Sequence, residues 1–263
     1  MPHKLEVLSE SARRASADQL KSLIHELTGE ESLLALLQNP NLDQGHVHRL
    51  LQRLDLPANV LSAIAETGKW MANESTRLRL ASHPHTPRRI GLPLLRQLFL
   101  FDLVKLSLLP SAPAELRRVA EEMIVTRVPH LPIGEKLTLA RRGPARVAGA
   151  LLAEGHAQAV KLALANAFLT ESQILKVLAK PDVPERSVAA IAQHPKWSCR
   201  YNVRMALVRN AHTPVPSVLA FLSNVTTGDL QDILTLKGLT PHLKKYIHQE
   251  LTRRKNAARA DGD

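Results

Sequence analysis

Two stretches of this chain say nearly the same thing: GKWMANESTRLRLASHPHTP over residues 68–87 and PKWSCRYNVRMALVRNAHTP over residues 195–214. Each holds Lys-Trp, an Arg seven residues after the Trp, and a closing His-Thr-Pro; the chain's two Trp residues, Trp70 and Trp197, stand at matching places. Lys69 to Lys196, Arg77 to Arg204 and His85 to His212 are each 127 residues apart. The match runs without a gap from Asn39/Asn166 through Asp55/Asp182 and Asp102/Asp229 to Arg127/Arg254, with roughly a quarter of its positions identical. Upstream, a one-residue shift lays Ala12-Arg13-Arg14 on Ala140-Arg141-Arg142. The pattern predicts a tandem duplication of a unit of about 127 residues, joined near Pro129 to Pro132. Residues 1–130 form the first half, 131–255 the second, and 256–263 (NAARADGD) read as a frayed, disordered tail.

Each half is punctuated in one way. ALLQNPNLD (35–43), RLASHPHTP (79–87) and ALVRNAHTP (206–214) each close an apolar helical run at Asn or His and open another after a short linker. Thr86 and Thr213 are expected to cap the following helices, with Pro87 and Pro214 at the first helical position, where no N–H is needed. Thr240-Pro241 repeats the device, and Pro57, Pro144 and Pro184 fall where helices should start. The runs between these marks have ordinary helix length, and no alternating strand pattern stands out. Apolar residues make up 44% of the chain but aromatics only 3%, so the core must be built from Leu, Ala, Val and Ile, a bias towards helix. Short helices cannot bury an apolar stripe alone, whereas stacked neighbours can. The expected fold is all-α: an α-solenoid of eight or nine short helices per half, in one continuous domain.

LASHPHTPRRIGLPLL and ALVRNAHTPVPSVLAFL resemble the leucine-rich repeat variant family and, more broadly, HEAT-like α-solenoids. In the variant family a helix ends at Asn-Pro and the next begins after Thr-Pro. The resemblance implies a right-handed superhelical stack and a binding role rather than a reaction. It covers most of the chain loosely and three or four units clearly, with irregular spacing between them. The iron–sulfur module of some variant-repeat proteins does not carry over, because Cys199 is the chain's one cysteine.

That single cysteine also excludes an internal disulfide or a cysteine zinc site, and fits a reducing compartment. MPHKLEVLSESARR lacks the apolar core of a signal peptide. The most apolar stretch, Leu92 to Pro110, is broken by Arg96, Asp102 and Lys105 and reads as buried helices joined by a turn, not as a membrane span. A soluble, cytoplasmic protein is expected. Its net charge of +11 suits nucleic acid, an anionic membrane surface or an acidic protein.

The candidate binding surface is Lys69, Trp70 and Arg77 in the first copy and Lys196, Trp197, Arg200, Arg204 and Arg209 in the second. Two readings stand side by side. The Trp and Arg grip a ligand from an exposed face, or the Trp wedges between helices while the Arg lays its stem across it and bonds nearby carbonyls. Lys196, Arg200 and Arg204 step by four, a basic edge that tracks a phosphate backbone or is simply solvated. Scarce aromatics argue against a base-stacking platform. Paired histidines such as His46/His48 and His83/His85 are two apart, which diverges on a helix, so turn hydrogen bonds are expected rather than a metal site. Asp55, Asp182, Asp102 and Asp229 recur in both copies and read as caps; no nucleophile elbow, P-loop or Rossmann glycine run is present. The expected function is a non-enzymatic scaffold that binds a protein partner and needs no cofactor. The alternatives are a basic solenoid on DNA or RNA and, third, a HEAT-like DNA glycosylase with an Asp in a pocket beside a Trp.

Overall fold

The computed structural model describes residues 9–235 and 241–260, with the side chains of the last helix described to Asn256. It is all-α, and no strand occurs among the described residues. The chain divides into two compact units, Met1–Ile124 and Val125–Asp263. Residues 9–14 are helical, and the first unit continues with α1 (Ala17–Glu26), α2 (Glu30–Leu37), α3 (Gln44–Leu50), α4 (Ala58–Glu66), α5 (Gly68–Met71), α6 (Glu74–Ser82), α7 (Arg88–Gln97) and α8 (Leu100–Leu108). Helix α9 (Ala114–Arg127) ends it and runs three residues past the division. After a 3-10 turn at Val128–His130, the second unit holds α10 (Ile133–Arg142), α11 (Ala145–Glu154), α12 (Ala157–Leu164), α13 (Glu171–Leu178) and α14 (Glu185–Gln193). It ends with α15 (Pro195–Ser198), α16 (Tyr201–Arg209), α17 (Val215–Leu222), α18 (Thr227–Leu234) and α19 (Pro241–Ala260).

Helix boundaries recur at the spacing of the sequence match. α2, α4, α5 and α6 start 127 residues before α12, α14, α15 and α16; α4, for example, starts at 58 and α14 at 185. All four pairs also stop at that offset. α3, α7, α8 and α9 start 127 residues before α13, α17, α18 and α19, and α1 precedes α11 by 128. Within each unit, the extensive helix–helix contacts join elements one to three places apart in the chain, such as α1 on α3, α2 on α4 and α13 on α16. Leu20, Ile24, Leu36, Leu61, Ile64 and Leu80 lie fully buried in the first unit; Leu151, Ile174, Val188, Ile191 and Leu207 do so in the second. Each such side chain is worth about 1.5–3 kcal/mol of transfer free energy.

The loops are tied down by polar side chains that reach back. Asn39 Nδ2 donates to the carbonyls of Ala12 and Ala15 at 2.8 and 3.0 Å, while its Oδ1 accepts the Asn41 N–H at 2.7 Å. Asn166 repeats the triad on Ala140, Gly143 and Phe168 at 2.8, 3.0 and 2.7 Å. Both asparagines are buried, and each gives partners to backbone groups that are wholly or partly shielded from water.

The Pro residues start helices as expected, but one position earlier. Pro57, Pro87, Pro144, Pro184 and Pro214 are the N-caps themselves, in extended conformation. Thr86 and Thr213 therefore do not cap the next helix. Each hydroxyl turns back and donates to a carbonyl of the helix before it, Leu80 at 2.5 Å and Leu207 at 2.6 Å. A helix C-terminus has orphan acceptors, which a hydroxyl can satisfy as well as it satisfies donors. Thr240 lies outside the described residues. Helix α19 runs to Ala260, so residues 256–260 continue that helix instead of forming a tail. Residues of high helix propensity such as Ala257, Ala258 and Arg259 carry it on.

Candidate binding surface

The Trp–Arg device is built the same way twice. Thr67 and His194 each end one helix and start a four-residue helix, α5 or α15. That turn swings the Trp inward. Trp70 is 4% exposed and Trp197 1%. The indole N–H of Trp197 donates to the Leu164 carbonyl at 2.9 Å. Outside, Lys69 Nζ stands 4.5 Å from the Trp70 ring centroid and Lys196 Nζ 4.4 Å from that of Trp197. The arginines hold the short helix to the next one. Arg77 Nη1 donates to the Met71 carbonyl at 2.8 Å, and Arg204 Nε to Ser198 at 2.7 Å.

Of the two readings of this device, the geometry fits the second, a packed Trp with an Arg bonding nearby carbonyls. Trp70 and Trp197 are core residues with no ring face open to a ligand, and the half-buried Arg77 and Arg204 spend donors on backbone carbonyls. The physical reason is that a ring with one N–H gains most when the ring is buried and the N–H bonded. The structure leaves Lys69, Lys196, Arg200 and Arg209 exposed. Arg200 pairs with Glu171 at 3.1 Å and lies 5.6 Å from the Trp197 centroid. Arg209 and Lys180 line one cleft of about 440 Å³ at the ends of α13 and α16, with His212 beside them.

The division into two units exposes a charge asymmetry. Residues 1–124 hold 15 Lys and Arg against 14 Asp and Glu, a net +1. Residues 125–263 hold 20 against 10, a net +10. Nearly the whole excess belongs to the second unit, although the two match in helix boundaries. Its exposed cations include Arg141, Arg142, Lys161, Lys176, Lys180 and Arg186, besides those of α19. The one acid of α19, Glu250, accepts from Arg253 and Arg254, both at 2.9 Å, and Arg253 first among them holds its carboxyl below the usual range. The basic clusters Lys244-Lys245 and Arg253-Arg254-Lys255 were legible in the sequence; that they share one helix with a single acid was not.

Of the recurring carboxylates, Asp55 and Asp182 are exposed, and Asp102 and Asp229 are half-buried. Asp55 accepts from the Nε and Nη2 edge of the Arg53 guanidinium, at 3.0 and 2.7 Å, which lowers its pKa. It caps nothing, because Pro57 is the N-cap of α4. Asp102 takes the ammonium of Lys105 at 2.8 Å. Asp229 accepts from the hydroxyls of Thr226 and Tyr201, which lower its pKa in that order, while Thr226 is the cap of α18. Asp182 is exposed. None of the four lines the cleft at Lys180 and Arg209, and both Trp rings are buried.

His83 is buried, donates its Nε2–H to the Arg53 carbonyl at 2.6 Å and accepts the His85 N–H at Nδ1. Burial holds its pKa below the ordinary value. His85 bonds the Leu56 carbonyl at 3.0 Å, the turn role expected of it.

Among the described residues no helix is long and apolar enough to cross a membrane. Comparison with protein-family models, with curated proteins and with solved structures yields no match to this chain.

Proposed function

We propose that the chain is a non-enzymatic α-solenoid of HEAT-like character made by tandem duplication, and that its second half binds the phosphate backbone of nucleic acid. The recurrence of helix boundaries and of the Asn39/Asn166 anchors at one offset supports the duplication. The observation that carries the ligand is the charge partition, +1 against +10 between units of matching helical plan. A charge needed only for solubility has no reason to gather in one half; a polyanion site has, since each phosphate neutralised releases counterions. The test is fluorescence anisotropy with labelled DNA duplex and RNA at several salt concentrations. Binding at micromolar Kd or tighter in about 50 mM salt, falling steeply as salt rises, is the expected result. No binding at that salt overturns the reading.

A protein partner is the second reading, and one observation favours it. Of the four Phe, Phe99, Phe101 and Phe168 are exposed, at 60%, 41% and 50%. Phe99 and Phe101 bracket the start of α8, where an apolar contact would cover them. Recovery of a specific partner that a Phe99→Ser, Phe101→Ser variant fails to recover would favour it; equal recovery by both would remove it.

A further inference from the structure

Resting on that reading, we infer that the outer face of α19 is the phosphate-contacting surface, and that it takes a duplex rather than a single strand. The inner face of this helix is anchored: Ile247 is fully buried, and Arg254 donates to the Val225 and Leu222 carbonyls, both at 2.7 Å. That anchoring also uses the one acid, Glu250. The other side carries Lys245, His248, Gln249, Thr252, Arg253 and Asn256, exposed and lining one open furrow. Their spacing of three, four, seven, eight and eleven is one helical stripe, about 16 Å long. Lys245, His248, Gln249 and Asn256 can donate hydrogen bonds, and phosphate oxygens only accept; the Thr252 hydroxyl is given to the His248 carbonyl, and Arg253 uses Nε and Nη2 on Glu250, which leaves its Nη1. Lys244 and Lys255 flank the stripe.

The matching helix of the first half supplies an internal comparison. α9 starts 127 residues earlier, and Arg117 and Arg118 stand where α19 has Lys244 and Lys245. At the places of His248 and Gln249 it has Glu121 and Glu122. The stripe is therefore mixed in charge on α9 and acid-free on α19, at one position of the helical plan. A general requirement for a solvated helix face does not distinguish the two; contact with a polyanion does. A single strand needs open aromatic faces for its bases. The Trp197 ring is buried under Lys196, and Tyr246, the aromatic residue of α19, is half-buried and lies off the stripe. A rigid backbone spaced for a helix face, as in a duplex, needs none.

The experiment compares two full-length variants of equal charge change on a labelled mixed-sequence duplex and on one of its strands. The first is Lys245→Glu, His248→Glu, Gln249→Glu, which imports the two acids α9 already carries. The second is Lys161→Glu, Lys176→Glu, elsewhere in the same unit. Matching thermal melts establish that both are folded. Wild type binds the duplex more tightly than the strand, the α19 variant loses at least about tenfold with a shallower salt slope, and the second loses less than about threefold. Equal losses would show that overall charge does the binding and would overturn the inference while leaving the proposed function standing. Tighter binding to the strand would overturn the duplex assignment. Failure of wild type to bind either nucleic acid, with or without binding to phosphatidylserine vesicles, would overturn the proposed function itself.

Discussion

At the residue scale, a few buried polar side chains close the turns between helices. Asn166 carries three hydrogen bonds in a buried position, so Asn166→Ala strands two carbonyls and one N–H. The expected loss is about 2 kcal/mol of unfolding free energy, read by urea titration, and Asn39→Ala should match it within a factor of two. Had either variant melted like wild type, the anchors would be incidental. His83 makes stability depend on pH. Its folded pKa lies below its unfolded value, so the unfolded chain binds the extra proton. The stability is complete above the unfolded pKa of about 6.5 and declines as pH falls below it, by at most about 1.4 kcal/mol per pH unit for each such group. His48 and His194 are lowered too, burial being the main cause in each, and add in the same direction. His83→Asn, which installs the residue found at Asn210, should flatten the decline between pH 7 and 5 without abolishing it; an unchanged pH profile would contradict this. The pairing of Asn39 with Asn166 was legible in the sequence, whereas what they bond was not, because their acceptors lie 23 to 27 residues away.

At the element scale, the helices were legible and the joints only partly. Pro57, Pro144 and Pro184 marked helix starts because a ring with fixed φ and no N–H fits few other places. Thr86 and Thr213 were misplaced by one function: a hydroxyl between two helices can serve either, and only the fold decides which orphan group it meets. Removing the hydroxyl in Thr213→Val should cost about 1 kcal/mol at the end of α16, against no change if it merely faced solvent. Gly155 ends α11 at φ 83, and a Cβ there would meet the Pro184 ring at 2.7 Å. Gly155→Ala should therefore cost about 2 kcal/mol or more, since both the backbone and the α14 entry must shift. A melt unchanged by that substitution would show that the joint can relax. The Trp residues left two readings open in sequence because Lys-Trp before a helix looks the same whether the ring turns in or out.

At the scale of the whole molecule, two units that match in helix boundaries differ in charge. The net charge of +11 was plain from composition, but the concentration of +10 of it in residues 125–263 becomes meaningful only once the two units and their matching helices are in view. The most direct measurement is lysine acetylation footprinting of the full chain, by mass spectrometry, with and without bound duplex. Lys244, Lys245 and Lys255 should lose reactivity on binding, while Lys21, Lys69 and Lys105, exposed in the first unit, should not. Equal protection in both units, or protection confined to the first, would contradict a polyanion site in the second half.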